Sequence, residues 1–143
     1  MTRLKCSGRV AVIVGSERDL EYAEKARKVL EEAGVEVIVR VLSAHRNPRE
    51  LDKFIEDEDP KLDIYIAMAG LAAHLPGYIA SRTLKPVIGV PLPVGPLQGI
   101  DALLSMVQMP RGVPVAVVGI GIAENAAHLA IRILNTMGRC KTE

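Results

Sequence analysis

Aromatic residues are scarce, at 3% of the 143 residues, so a core has to be built from Val, Ile, Leu and Ala. Parallel sheets covered by helices have that composition. Nor is charge of one sign in excess. Eighteen basic and 17 acidic residues leave a net charge of +1, which gives nucleic-acid binding no electrostatic support. The basic residues Arg3, Lys5 and Arg9 read as a solvated tail. Only two cysteines occur, Cys6 and Cys140, with no C-x-x-C metal spacing. They are expected as free thiols in a reducing cytoplasm, although a bridge between them is geometrically possible. No apolar run approaches the roughly 18 residues that a membrane span needs. Charges throughout the first 20 residues leave no secretory signal. The G-x-G-x-x-G and Walker fingerprints are missing too.

What is present is a regular alternation. Apolar residues make up 49% of the chain, enough for one ordinary domain over residues 1–143. Its core is expected at about 9–136, with short tails at 1–8 and 137–143. "RVAVIVG" (Arg9–Gly15), "VEVIVRVL" (Val35–Leu42), "LDIYIAMAG" (Leu62–Gly70), "PVIGVPL" (Pro86–Leu92) and "VPVAVVGIG" (Val113–Gly121) read as strands. Between them lie helical segments. Leu20 to Gly34 places Leu20, Ala23, Ala26, Leu30 and Ala33 on one stripe, with Gly34 as the stop. Pro48 opens a second helix. "PGYIASRTL" suggests a short third, and "GIDALLSMVQM" a fourth that is apolar almost all round. The last, "ENAAHLAIRILNTMG", turns Ala126, Leu129, Ala130, Ile133 and Met137 inward. Strand–helix repeated five times implies a three-layer αβα sandwich around a parallel five-stranded sheet, flavodoxin-like, in the order 2-1-3-4-5.

In such sheets a ligand sits outside the carboxyl ends of the strands, and the polar residues collect there. "GSERD" (Gly15–Asp19) offers either a capping Ser16 or an anion or ribose site at a helix start. Asp19 would suit ribose hydroxyls better than phosphate. "SAHRNP" (Ser43–Pro48) sets His45 beside Arg46 where a buried strand ends. Imidazole suits proton shuttling near neutral pH, and the guanidinium fork suits phosphate or carboxylate. "AGLAAHLPG" (Ala69–Gly77) is apolar apart from His74. Either it packs against another subunit or it walls a dry pocket, and both could hold. "PVGPLQG" is stiff enough for a shaped wall or a lid. Arg111 is either a surface charge or a second anion contact, and His128 reads as solvated.

Taken together, "GSERDL", "SAHRNP", "AGLAAHLPG" and "SMVQMPRGVPV" resemble the N5-carboxyaminoimidazole ribonucleotide mutase family of purine biosynthesis, over residues 9 to about 136. The resemblance implies an isomerase that moves a carboxyl group from an exocyclic nitrogen to the neighbouring ring carbon, without metal or organic cofactor. It implies substrate contacts at Ser16, Asp19 and Arg46, an acid–base His45, and a second pocket histidine at His74. Gly15, Ser43, Ala44, Gly70, Leu71, Ala72 and Pro76, on the same loops, complete the expected ribonucleotide site. A homo-octamer in the cytoplasm is implied as well, with no membrane or nucleic-acid partner. Common bacterial members carry Gly where Leu71 stands, and their fourth loop differs from "LPVGPLQG". A sister class carboxylates aminoimidazole ribonucleotide directly with carbon dioxide. It usually replaces the "AAHLPG" stretch by one containing Ser-Asn, so His74 and Pro76 favour the mutase. A non-catalytic nucleotide-binding module would have no need for an imidazole at position 45. A flavin-binding one would lack an aromatic residue in these loops to stack on the ring.

Overall fold

The structure is a computed structural model describing residues 3–143; Met1 and Thr2, part of the expected tail, lie outside the described residues. In chain order the elements are β1 (Leu4–Cys6), β2 (Arg9–Val14), α1 (Leu20–Glu32), β3 (Glu36–Val41), α2 (Pro48–Glu58), β4 (Ile64–Ala69), α3 (Leu75–Ala80), β5 (Val87–Pro91), α4 (Ile100–Val107), β6 (Ala116–Val117), α5 (Ala123–Thr136) and β7 (Cys140–Thr142). Strands β3-β2-β4-β5-β6 form one parallel sheet in that spatial order. Counted along the chain, this is the expected 2-1-3-4-5.

Alternation along the strands divides the core in two. Val10, Val12 and Val14 of β2 face α1 and α5, with Ala23, Ala26, Leu30, Ala126, Ala130 and Leu134. Ala11 and Ile13 face α2, α3 and α4, with Leu51, Ile55, Ile79 and Met106. The first helix stops as its sequence suggests. Gly34 adopts φ 88°, its N–H bonds to Glu31 O and the Val35 N–H bonds to Leu30 O. These are the two hydrogen bonds of a Schellman stop. A Cβ at Gly34 would also lie 2.9 Å from the Cys6 carbonyl, so close chain approach adds to the demand for glycine.

Several expectations are corrected. The cysteines are not free thiols: Cys6 and Cys140 form a disulfide. Within the expected tails, β1 and β7 pair antiparallel, Leu4 to Thr142 through Cys6 to Cys140. Among the tail's basic residues, Arg9 is a buckle. Its guanidinium donates to Glu58 Oε2 at 2.8 Å and to Glu36 Oε1 at 3.2 Å, and its N–H donates to Asp63 Oδ2. The Arg9 bond holds the Glu58 carboxyl below its usual range. The fifth strand is two residues long rather than nine. Pro114 has no N–H to give a ladder, β6 pairs on one side only, and Ala116 is exposed while Val117 is half-buried. The α5 stripe is rotated by about one position. Ala123, Ala127, Ile131 and Leu134 are buried beside Ala126 and Ala130, whereas Leu129 and Ile133 sit on the shoulder and Met137 is 49% exposed. The small alanine face is the one that allows close approach to α1 and the sheet.

Candidate active site

Three strand-end loops converge on a cavity of about 240 Å³. The turn after β2 supplies Gly15, Ser16, Arg18 and Asp19. The turn after β3 supplies Ser43 to Arg46, and the loop after β4 supplies Ala69 to Ala72, His74 and Leu75. Parallel strands ending together bring these loops to one edge.

The "SAHRNP" turn is built by Ser43. Its Oγ accepts the N–H groups of His45 (3.2 Å) and Arg46 (3.1 Å), and its carbonyl accepts the N–H of Asn47. Asn47 Oδ1 in turn accepts the Ser43 N–H. Ser43 therefore lines the cavity, but its hydroxyl is engaged in shaping the turn that presents His45 and Arg46. His74 stands immediately before α3, where its carbonyl accepts the Tyr78 N–H and its own N–H bonds to Ala72 O. Behind the histidines, α2 and α3 are clamped together. The Tyr78 hydroxyl donates to Asp52 Oδ1 at 2.7 Å, and Arg82 Nε bonds to the same oxygen while its guanidinium stacks on the Tyr78 ring. The Tyr78 bond holds the Asp52 carboxyl low, with Arg82 adding to the effect.

In front of this clamp the two imidazoles meet. His45 Nε2 lies 2.8 Å from His74 Nδ1, with the rings edge to face at 4.9 Å. One nitrogen must donate and the other accept, so a neutral pair shares one bridging proton. Each ring then has one outer nitrogen, one carrying hydrogen and the other bare. The pair thus offers an acid at one end and a base at the other, and the ends exchange roles when the bare nitrogen takes up a proton, the bridging proton crosses and the far N–H is released.

Across the cavity, Asp19 is only 3% exposed and its side chain makes no capping bond. Burial pushes its carboxyl above the ordinary value, and Arg18, with Nε at 3.7 Å, partly offsets this. Ser16 does not cap through its side chain; its carbonyl accepts the Asp19 N–H instead. Its hydroxyl caps nothing, so the capping alternative falls away. Arg46 is exposed at the rim. Gly15, Ala44, Gly70, Leu71 and Ala72 line the walls. Pro76 does not: it is buried in the core below, its Cβ 3.4 Å from where a Cβ on Gly89 would stand. Arg111 is exposed outside the cavity lining, and His128 is exposed on α5. Arg18 was missed by the sequence reading; its place in "GSERD", beside Asp19 on a strand-end loop, was the available signal.

Residues 9–140 match the family described as AIR carboxylase. N5-carboxyaminoimidazole ribonucleotide mutases from Methanocaldococcus jannaschii and Saccharolobus solfataricus are 57% and 53% identical to this chain. Their alignments cover 87% and 88% of it, and 78% and 80% of the relatives. The crystal structure of Treponema denticola PurE matches with a TM-score of 0.82 at 29% identity, covering 90% of this chain and 80% of that one. The chain belongs to the AIR carboxylase family.

Proposed function

We propose that this protein is an N5-carboxyaminoimidazole ribonucleotide mutase, which converts its substrate to 4-carboxy-5-aminoimidazole ribonucleotide. The observation that carries the reading is the His45–His74 hydrogen bond at the edge of a cavity with cationic and hydroxyl groups opposite. The carbamate loses carbon dioxide as its exocyclic nitrogen takes a proton. The ring carbon then attacks that carbon dioxide and must give up its own proton. No proton is consumed overall, which matches a pair that is acid at one end and base at the other. His45 is the group that exchanges the proton, and His74 holds its tautomer and returns the charge. Arg46, with Arg18, takes the ribose phosphate. Ser16 and Asp19 hold the ribose hydroxyls, and Gly15, Ala44, Gly70 and Ala72 let the nucleotide approach the backbone.

Direct carboxylation of aminoimidazole ribonucleotide is the weaker reading, since relatives at 57% and 53% identity carry the mutase name. The deciding assay supplies purified protein with the carbamate in bicarbonate-free buffer, and in parallel with aminoimidazole ribonucleotide plus bicarbonate. Conversion of the carbamate alone is expected. A strict need for bicarbonate would transfer the protein to the carboxylases.

We also propose a cytoplasmic homo-octamer. Among the described residues no helix is long and apolar enough to cross a membrane. Ile100, Leu104 and Val107 leave one face of α4 apolar and exposed, next to the half-covered edge of β6. Patches of that kind mark interfaces. Sedimentation should report a particle of eight chains, and Leu104→Glu should reduce its size.

A further inference from the structure

Leu71 breaks a local rule. Its φ is 57°, in the left-handed region that disfavours any residue with a Cβ and that glycine adopts freely. Its side chain is 42% exposed and lines the cavity, three residues before His74. The fourth loop holds it there. A Cβ on Gly95 would lie 2.7 Å from Leu71 Cδ2, and a Cβ on Gly70 would lie 2.7 Å from Val94 Cβ. The leucine tip fills a notch that exists because residue 95 has no side chain. The two loops therefore interlock at adjacent positions, and "LPVGPLQG" is a buttress rather than a lid. A strained backbone persists only where its surroundings over-determine it, and this contact supplies that constraint.

We propose that Leu71 is the wall that retains carbon dioxide beside the histidine pair, and that Gly95 is the seat that keeps it in place. The proposal rests on the mutase reading. In that reaction the carbamate C–N bond breaks and its electron pair returns to nitrogen, which takes a proton from the histidine pair. The ring carbon then gives an electron pair to the freed carbon dioxide. A C–C bond forms, and the displaced ring proton returns to the pair. Between the two steps the gas is neutral and bonded to nothing. Only an apolar wall that excludes water keeps it at high effective concentration. Loss through that wall would leave aminoimidazole ribonucleotide behind.

The test is single-turnover conversion of the carbamate in 13C-bicarbonate, with carbonic anhydrase present to equilibrate dissolved carbon dioxide. The label in the product carboxyl is read by mass spectrometry, after subtraction of enzyme-free decarboxylation. It counts the molecules of carbon dioxide that left and were replaced, independently of how much enzyme is active. Wild type should incorporate little. Leu71→Ala and Leu71→Gly should both incorporate severalfold more, because both lose the apolar tip while only glycine relaxes the backbone. Leu71→Met, which keeps the reach, should return towards wild type. Wild-type labelling in both the Ala and Gly variants would overturn the proposal. A rise in the Gly variant alone would also overturn it, by placing the cause in the backbone. Heavy labelling of the wild type itself would instead refute the mutase reading, a failure seen without any variant.

Discussion

Reducing the Cys6–Cys140 bridge should lower stability by several kcal/mol without touching the chemistry. The bridge joins positions 134 residues apart. For a closed loop of that length, lost chain entropy in the unfolded state corresponds to about 5 kcal/mol, against about 2–4 kcal/mol typical of measured disulfides. Other ties lower the expected value towards that range. The β1–β7 ribbon keeps its ladder, Ser7 N–H still bonds to Arg139 O, and Arg139 still pairs with Asp63 at 3.2 Å. A loss of about 3 kcal/mol in a chain of this size lowers Tm by roughly 10 °C. The assay is urea unfolding of oxidised wild type, reduced wild type and the Cys6→Ala/Cys140→Ala double variant. All are held at one protein concentration, because assembly is linked to stability. Thiol titration of the unreduced, denatured protein should find none. Turnover should be unaltered, since the bridge lies at the opposite end of the sheet from the cavity. Two titratable thiols, or identical midpoints with and without reductant, would refute the reasoning.

Three further outcomes are expected. His45→Asn should lower kcat by about 10²–10⁴-fold, the usual worth of an acid–base group, with KM little changed; normal turnover would remove His45 from the mechanism. Arg46→Ala should raise KM about 10–100-fold by losing a charge-assisted hydrogen bond, with Arg18→Ala acting in the same direction; an unchanged affinity would refute the phosphate contact. Asp19→Asn should stabilise the protein near neutral pH while weakening substrate binding. Burial raises the Asp19 carboxyl above 3.8 in the folded state, so the fold binds the proton more readily than the unfolded chain does. Its contribution to stability is therefore present at low pH and lost as pH rises through the folded value. The gain from Asn should shrink as pH falls towards 3.8, as read from urea midpoints at pH 7 and pH 4.

The strand-end loops were legible because each follows an uninterrupted apolar run, and a parallel sheet fixes where such runs end. Ser16, Asp19, His45, Arg46 and His74 could therefore be assigned to one edge before any coordinates. The 2.8 Å contact between the imidazoles could not, because it joins residues on two loops 29 positions apart whose distance is set by how α2 and α3 pack. Pro76 was assigned to the cavity by its neighbours, but α3 begins at Leu75 and turns the proline into the core. The disulfide was hidden because nothing local at Cys6 or Cys140 marks strand pairing across most of the chain. Val113–Gly121 looked like a buried strand because apolar residues on an edge read the same way, whether a neighbouring strand or another subunit is meant to cover them.

The sheet also separates the ribose contacts proposed for Ser16 and Asp19 from the histidine pair. Ser16 and Asp19 open α1, which is seated in the layer with α5, whereas His45, Arg46 and His74 open α2 and α3, seated in the layer beneath. Changes that share no neighbours act additively. Softening Leu30 should loosen the ribose contacts and spare the imidazoles, whereas softening Leu51 should disturb the imidazoles together with Arg46. Selection could thus retune the fit to the ribose without moving the histidines.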